Sequence, residues 1–258
     1  MKIKTYITLS VAAMLTLVAA TAHAEKSADE IIEKALESNA LGFQAGEAKV
    51  SLDIEDRAGE SRERKMGVKS KDSDDGSRTL VELTAPKDLK DQAFLFSEND
   101  DGSDDVWMYV PAFEVTRRIE GSQKNGAFLG SHFTYADLES RDIEEGSYTR
   151  LDDDKVGEHP VYVVRTTPED DDSEYGKVLT YIRKSDFFPL RIEFFDEEGG
   201  KEKTLFIEEI EETDDGKKYT KKMTLRPESG GYTTIEINSL DAKSDLPDSL
   251  FSKEQLGK

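Results

Sequence analysis

No cysteine occurs in the 258 residues, which removes disulfide frameworks, thiolate zinc sites, cysteine nucleophiles and a lipidated N-terminal cysteine together. Basic charge is scarce: 35 Lys plus Arg stand against 56 Asp plus Glu, a net charge of −21. Such a field repels a polyanion, because phosphate contacts need clustered Lys and Arg, so nucleic acid is not an expected partner. One apolar run lies near the N-terminus, and everything after it is too polar to cross hydrocarbon as a helix. Beyond residue 24 the only histidines are His132 and His159, too few for a three-histidine zinc site. His132 follows Ser131 with no G-x-S-x-G elbow around it, and Gly121 to Gly126 lacks the Lys-Ser/Thr pair of a phosphate loop. Acidic runs such as Asp72 to Asp75 and Asp170 to Asp172 lack calcium-loop spacing and read as solvated turns. The expectation is a protein without catalytic residues, cofactor or metal.

What is present begins with a targeting pattern. Lys2 and Lys4 precede the apolar run Thr5 to Ala20, and Ala22-His23-Ala24 places small residues where a signal peptidase reads. Residues 1–24 are therefore expected to be a secretory signal peptide cleaved after Ala24, with 25–258 a single exported, soluble domain. Ser27-Ala-Asp-Glu30 has capping-box spacing, and Ile31, Ile32, Ala35 and Leu36 recur with a helical period. From Ala48 the period becomes two: Val50, Leu52 and Ile54 alternate with polar residues, and strand-like runs follow at Arg62 to Lys69, Thr79 to Thr84, Ala93 to Ser97 and Val106 to Val110. Six more runs between Val161 and Asn238 are joined by turns such as Glu197-Glu-Gly-Gly200 and Ser229-Gly-Gly231.

The pattern predicts a mainly β chain with a few helices (α+β): one large curved antiparallel sheet of roughly ten strands, which must bury a face and so curls into a half-closed barrel. The pieces available to cover the concave face are the N-terminal helix and the irregular stretch Gly121 to Arg141. A cover that moves makes that face a pocket for acyl chains; a fixed one makes it an ordinary core.

Two stretches carry more information than the rest. Asp105-Val-Trp-Met-Tyr-Val-Pro-Ala-Phe-Glu-Val-Thr-Arg-Arg-Ile119 holds the single Trp and two adjacent Arg in an acidic chain, and Gly126-Ala-Phe-Leu-Gly-Ser-His-Phe-Thr-Tyr-Ala-Asp-Leu138 is unusually aromatic for a loop. Together they resemble the outer-membrane lipoprotein-sorting (LolA-like) family, through a W-x-Y-x-P strand at Trp107, Tyr109 and Pro111, an R-R-I strand at Arg117 to Ile119, and an F-x-G-S-x-F-x-Y-x-D-L segment from Phe128 to Leu138. His132 stands where that pattern has an acidic residue. The resemblance spans nearly all of 25–258. It implies a periplasmic carrier that holds acyl chains of lipoproteins or lipids in a half-barrel and moves them towards the outer membrane. The partners it implies are that cargo, an inner-membrane transporter and an outer-membrane acceptor.

On that reading the acyl-chain contacts are Trp107, Tyr109, Phe128, Leu129, Phe133, Tyr135, Phe94 and Phe96, with Arg117 and Arg118 meeting a headgroup or partner. The residues alone leave alternatives open. Trp107 and Tyr109 share one side of a strand whose other side carries Val106, Met108 and Val110, so the strand is buried on both faces and Trp107 serves either pocket or core. Arg117 and Arg118 fit a solvated, ion-paired face equally well. A scaffold subunit of a membrane exporter, with no cargo of its own, is the rival function.

Overall fold

The computed structural model describes residues 26–38, 43, 45–73, 76–98, 104–139, 143, 146–169 and 173–258. The expected signal peptide and parts of the acidic runs lie outside them. Helix α1 (Ala28–Leu36) starts where the capping pattern places it: Ser27 Oγ accepts the Glu30 N–H at 3.1 Å. Glu30 itself binds Lys26 and Lys34 at 2.6 and 2.9 Å rather than reaching back to the cap. The apolar stripe Ala28, Ile31, Ile32 and Ala35 packs on Val164 and Ile182 of the sheet.

The sheet is built from β1 (Gly46–Glu55), β2 (Ser61–Ser73), β3 (Gly76–Ala85), β4 (Ala93–Ser97), β5 (Asp105–Val110), β6 (Val115–Ile119), β7 (Gly146–Arg150), β8 (Asp154–Val156), β9 (His159–Pro168), β10 (Lys177–Arg183), β11 (Pro189–Phe195), β12 (Lys201–Glu212), β13 (Lys218–Pro227) and β14 (Tyr232–Asp241). All pairings among the described residues are antiparallel, in the order β6-β5-β4-β3-β2-β1-β14-β13-β12-β11-β10-β9-β7, with β8 beside β9. Among the described residues fourteen strands thus stand where roughly ten were expected. The additional ones include the short β7 and β8, whose Gly-Ser-Tyr-Thr-Arg and Asp-Lys-Val are too polar to alternate. Two meanders become one sheet because β1 pairs with β14, placing Val50 opposite Ile237 and Leu52 opposite Ile235. The ends, β6 and β7, do not meet. Of the stretch joining them, residues 120–139 contain a short helix α2 (Tyr135–Glu139) and lie against the inner face.

Strand alternation separates two buried surfaces. On the inner one, Val50, Leu52, Ile54, Met66, Phe94, Phe96, Val106 and Met108 pack together beneath Phe128. Val178, Ile192, Phe194, Leu205, Met223 and Leu225 continue it beneath Phe133. On the outer one, Leu80, Ala93, Leu95, Trp107 and Tyr109 are covered by Leu246, Leu250, Phe251 and Leu256 from the C-terminal stretch. Gly257 closes that cover at φ +82°, where a Cβ would collide with the Tyr109 ring. No helix among the described residues is long and apolar enough to cross a membrane.

Candidate functional site

Phe94 and Phe96 sit on β4 and point inward, opposite Val81 and Thr79 of β3. Phe128 crosses above them, edge-on to Phe94 at 5.1 Å and to Tyr135 at 5.6 Å, with Phe96 at 6.3 Å. Beside this aromatic group runs a cavity of about 180 Å³ walled by Val50, Leu52, Met66, Val68, Val81, Phe96, Phe128, Met223, Ile235 and Ile237. Its polar lining is confined to Ser70, Thr79, Glu98 and Thr220, and the Ser70 and Thr79 hydroxyls satisfy each other at 2.9 Å.

The covering segment owes its shape to a tight loop. Phe128 N–H donates to the Phe133 carbonyl at 2.8 Å, Ser131 N–H to the Phe128 carbonyl at 2.9 Å, and Phe133 N–H to Ser131 Oγ at 3.1 Å. Leu129 and Gly130 follow one another at φ +53° and +71°, which drives Phe128 and Phe133 into different halves of the inner face. The left-handed conformation is free for Gly130 and strained for Leu129, so the surrounding bonds must hold it. Helix α2 then opens with a reciprocal cap: Asp137 Oδ2 accepts the Thr134 N–H at 2.7 Å and Thr134 Oγ accepts the Asp137 N–H at 3.1 Å.

Side chains of Lys203, Tyr175 and Thr233 fasten this segment, and one ion pair braces it internally. Lys203 of β12 reaches Asp137 at 2.6 Å, both side chains being under a tenth exposed, and Tyr175 donates its hydroxyl to the other Asp137 oxygen at 2.8 Å. Lys124 binds Glu139 at 2.7 Å within the segment. His132 lies against β14, its N–H donating to Thr233 Oγ at 3.1 Å and its Nδ1 standing 2.8 Å from the same oxygen. An acceptor already used by one N–H is best matched by giving its own proton to Nδ1, so the geometry suits the tautomer protonated at Nε2.

Burial is the main cause holding the His132 pKa below its ordinary value. The backbone bond to Tyr232 and the charge of Asp56 oppose that shift; Arg62 and Lys203 reinforce it. A lowered histidine pKa means the docked state prefers the neutral ring. The His132 contribution is therefore complete above the ordinary pKa of about 6.5 and weakens as the pH falls through it towards the lowered value. Entry of an apolar fluorescent probe should accordingly quicken between about pH 7.5 and about pH 5, a range chosen to bracket that ordinary value, and His132→Gln should flatten the dependence. An equally steep profile in the variant would remove His132 from the account.

Of the expected acyl contacts, Phe94, Phe96, Phe128, Leu129 and Tyr135 gather in one cluster on the inner face, and Phe133 lies in the neighbouring one. Trp107 and Tyr109 do not join them, because β5 turns Val106 and Met108 inward and those two outward onto the C-terminal stretch. Lys253 stacks over the Trp107 ring at 4.9 Å. The adjacent arginines part for the same reason. Arg117 lies opposite the inward-facing Met108, and its charge works against the burial that raises the Tyr135 pKa. Arg118 lies opposite Trp107 and pairs with Asp105 and with Glu120, the latter at 3.2 Å. Lys203 and Thr233, which fasten the cover, were not singled out by sequence. The acidic partner in the aromatic motif, Asp137, was the available signal for a buried cation elsewhere.

A family model described as an uncharacterized protein matches residues 75–258. No curated protein matches. Among solved structures, a domain from Vibrio parahaemolyticus described as an outer membrane lipoprotein-sorting protein is 30% identical over 90% of this chain and all of its own, with a TM-score of 0.82. A DUF1329 family protein from Desulfovibrio piger is 23% identical over 90% of this chain and 99% of its own, at a TM-score of 0.80. The LolA superfamily protein NE2245 from Nitrosomonas europaea, also 23% identical, matches 90% of this chain and all of its own at 0.70. The last two bear on fold alone.

Proposed function

The chain belongs to the outer-membrane lipoprotein-sorting (LolA-like) family, and on that footing we propose that it is an exported periplasmic carrier that shelters acyl chains of a lipoprotein or lipid on the inner face of its sheet and delivers them towards the outer membrane. The observation that carries this reading is the apolar cavity beneath Phe128. At about 180 Å³ it compares with an engineered cavity of about 150 Å³ that holds benzene, which is too small for a whole acyl chain. Loading therefore needs the segment 121–139 to lift, carrying Phe128 off Phe94 and widening the groove. Each methylene then buried contributes roughly 0.8 kcal/mol, the same increment that favours the bilayer, so cargo passes between carrier and membrane without a large step in either direction. Arg117, on the cavity side of the β6 edge, is the residue placed to meet an anionic headgroup; Arg118, on the other side, suits a protein partner. A transporter that loads the carrier and an acceptor that unloads it follow from the same reading, as does cleavage after Ala24, which N-terminal sequencing beginning at Glu25 would support.

The scaffold alternative has one observation in its favour. Phe113 and Val115, at the tip of the β5–β6 hairpin on the open sheet edge, are 77% and 49% exposed, as a docking surface would be. Mass spectrometry of an organic extract from protein purified out of its native host separates the two. Lipid in near-stoichiometric amount supports the carrier; a folded protein whose extract holds none supports the scaffold.

A further inference from the structure

The acyl cavity does not end against the sheet. A second cavity of about 190 Å³ follows it along the same strands, and Phe43 lines both. On β2, Met66, Val68 and Ser70 line the first and Asp72 the second; on β14, Ile235 and Ile237 line the first and Leu240 the second. Successive inward positions of one strand thus pass from one chamber to the next, and Phe43, from the stretch between α1 and β1, stands between them. The far chamber is mixed in character. Ala45, Leu240, Ala242 and Tyr219 give it apolar wall, while Asp72, Thr213, Asp215, Lys217 and Lys218 form its polar side. The Tyr219 hydroxyl donates to Glu211 at 2.7 Å, which fixes its ring in that wall.

We infer that Phe43 is the end stop of the groove and sets the length of acyl chain that the protein accepts. The inference rests on the carrier reading. A linear chain entering beneath Phe128 runs along the strands and gains with each methylene while the walls stay apolar. Where it meets Phe43, a further methylene must displace the ring or fold back, and the gain per carbon stops. Removing the ring joins the two chambers and lets the chain continue past Tyr219 and Leu240.

The test is competition of saturated fatty acids, from octanoate to stearate, against an apolar fluorescent probe on the intact exported protein and on Phe43→Ala and Phe43→Trp. In the parent, affinity should rise by about fourfold per methylene and then level off. Phe43→Ala should move the plateau to longer chains. Phe43→Trp should move it to shorter chains. Plateaus at the same length in all three folded proteins would overturn the end stop while leaving the carrier standing. Failure of every acid to displace the probe saturably from the parent would overturn the carrier reading and this inference with it.

Discussion

Lys203→Met is expected to lower the melting temperature by roughly 10 °C and to admit apolar probe more readily. Lys203 and Asp137 lie 2.6 Å apart, 8% and 4% exposed, and the Tyr175 hydroxyl and the Thr134 N–H use the remaining capacity of the carboxylate. Taking the ammonium away leaves a negative charge on the inner face with only neutral donors around it. Breaking one side of a buried pair costs about 3 to 5 kcal/mol, and about 1 kcal/mol moves the midpoint by roughly 2–4 °C in a chain of this size. Lys203→Met with Asp137→Leu removes both charges and should recover much of that loss. Calorimetry on the two single variants and the double gives the coupling. Additive losses would mean that the pair does not fasten the cover. The variants also separate stability from access: the pair joins the covering segment to β12, so a single variant should speed probe entry more than a surface change of equal thermal cost.

The second large effect distinguishes floor from cover. Phe94 is fully buried on a central strand, and Phe94→Ala should cost about 3 to 5 kcal/mol because paired neighbours cannot collapse into the space. Phe128 is also buried, at 4% exposure, yet it belongs to a loop beside an existing cavity. Phe128→Ala should cost about half as much, the loop being able to settle, and should weaken acyl-chain binding more than its stability loss explains. Trp107→Ala, on the outer face, should destabilise without touching affinity. Midpoints and fatty-acid affinities measured on the three variants decide it: proportional loss of both quantities throughout would make the covering segment plain core.

These contrasts show where sequence was informative. A short apolar run bounded by turns located β4 at its observed bounds, and period-two alternation located most of the longer strands to within a few residues, because pairing with one buried face writes itself into residue order. Ser27 marked the first helical turn for an equally local reason. The covering role of the aromatic stretch was legible from the mismatch between its apolar content and its irregular period. Which side of β5 faces inward was not. Alternation says that Trp107 and Tyr109 share a side, but both sides are apolar, and only the C-terminal stretch laid across one of them breaks the tie. The β1–β14 pairing was hidden too, since it joins residues almost the whole chain apart. Lys203, between Glu202 and Thr204 in a charged run, has no local mark of burial; its partner is 66 residues away.

On the carrier reading, acyl chains enter beneath the segment that His132 joins to β14, and the absence of native cysteine makes a direct test available. His132 N–H and Nδ1 stand 3.1 and 2.8 Å from Thr233 Oγ, so the two side chains face each other across the joint between cover and sheet, and His132→Cys with Thr233→Cys is the pair to oxidise, with disulfide formation verified by mass. Binding of an apolar probe, displaceable by fatty acid, is then measured on the same sample oxidised and reduced. Oxidation should abolish binding or slow it by more than about tenfold, a barrier of at least about 1.4 kcal/mol, and reduction should restore it. Equal binding by the folded protein in both states would contradict that reading.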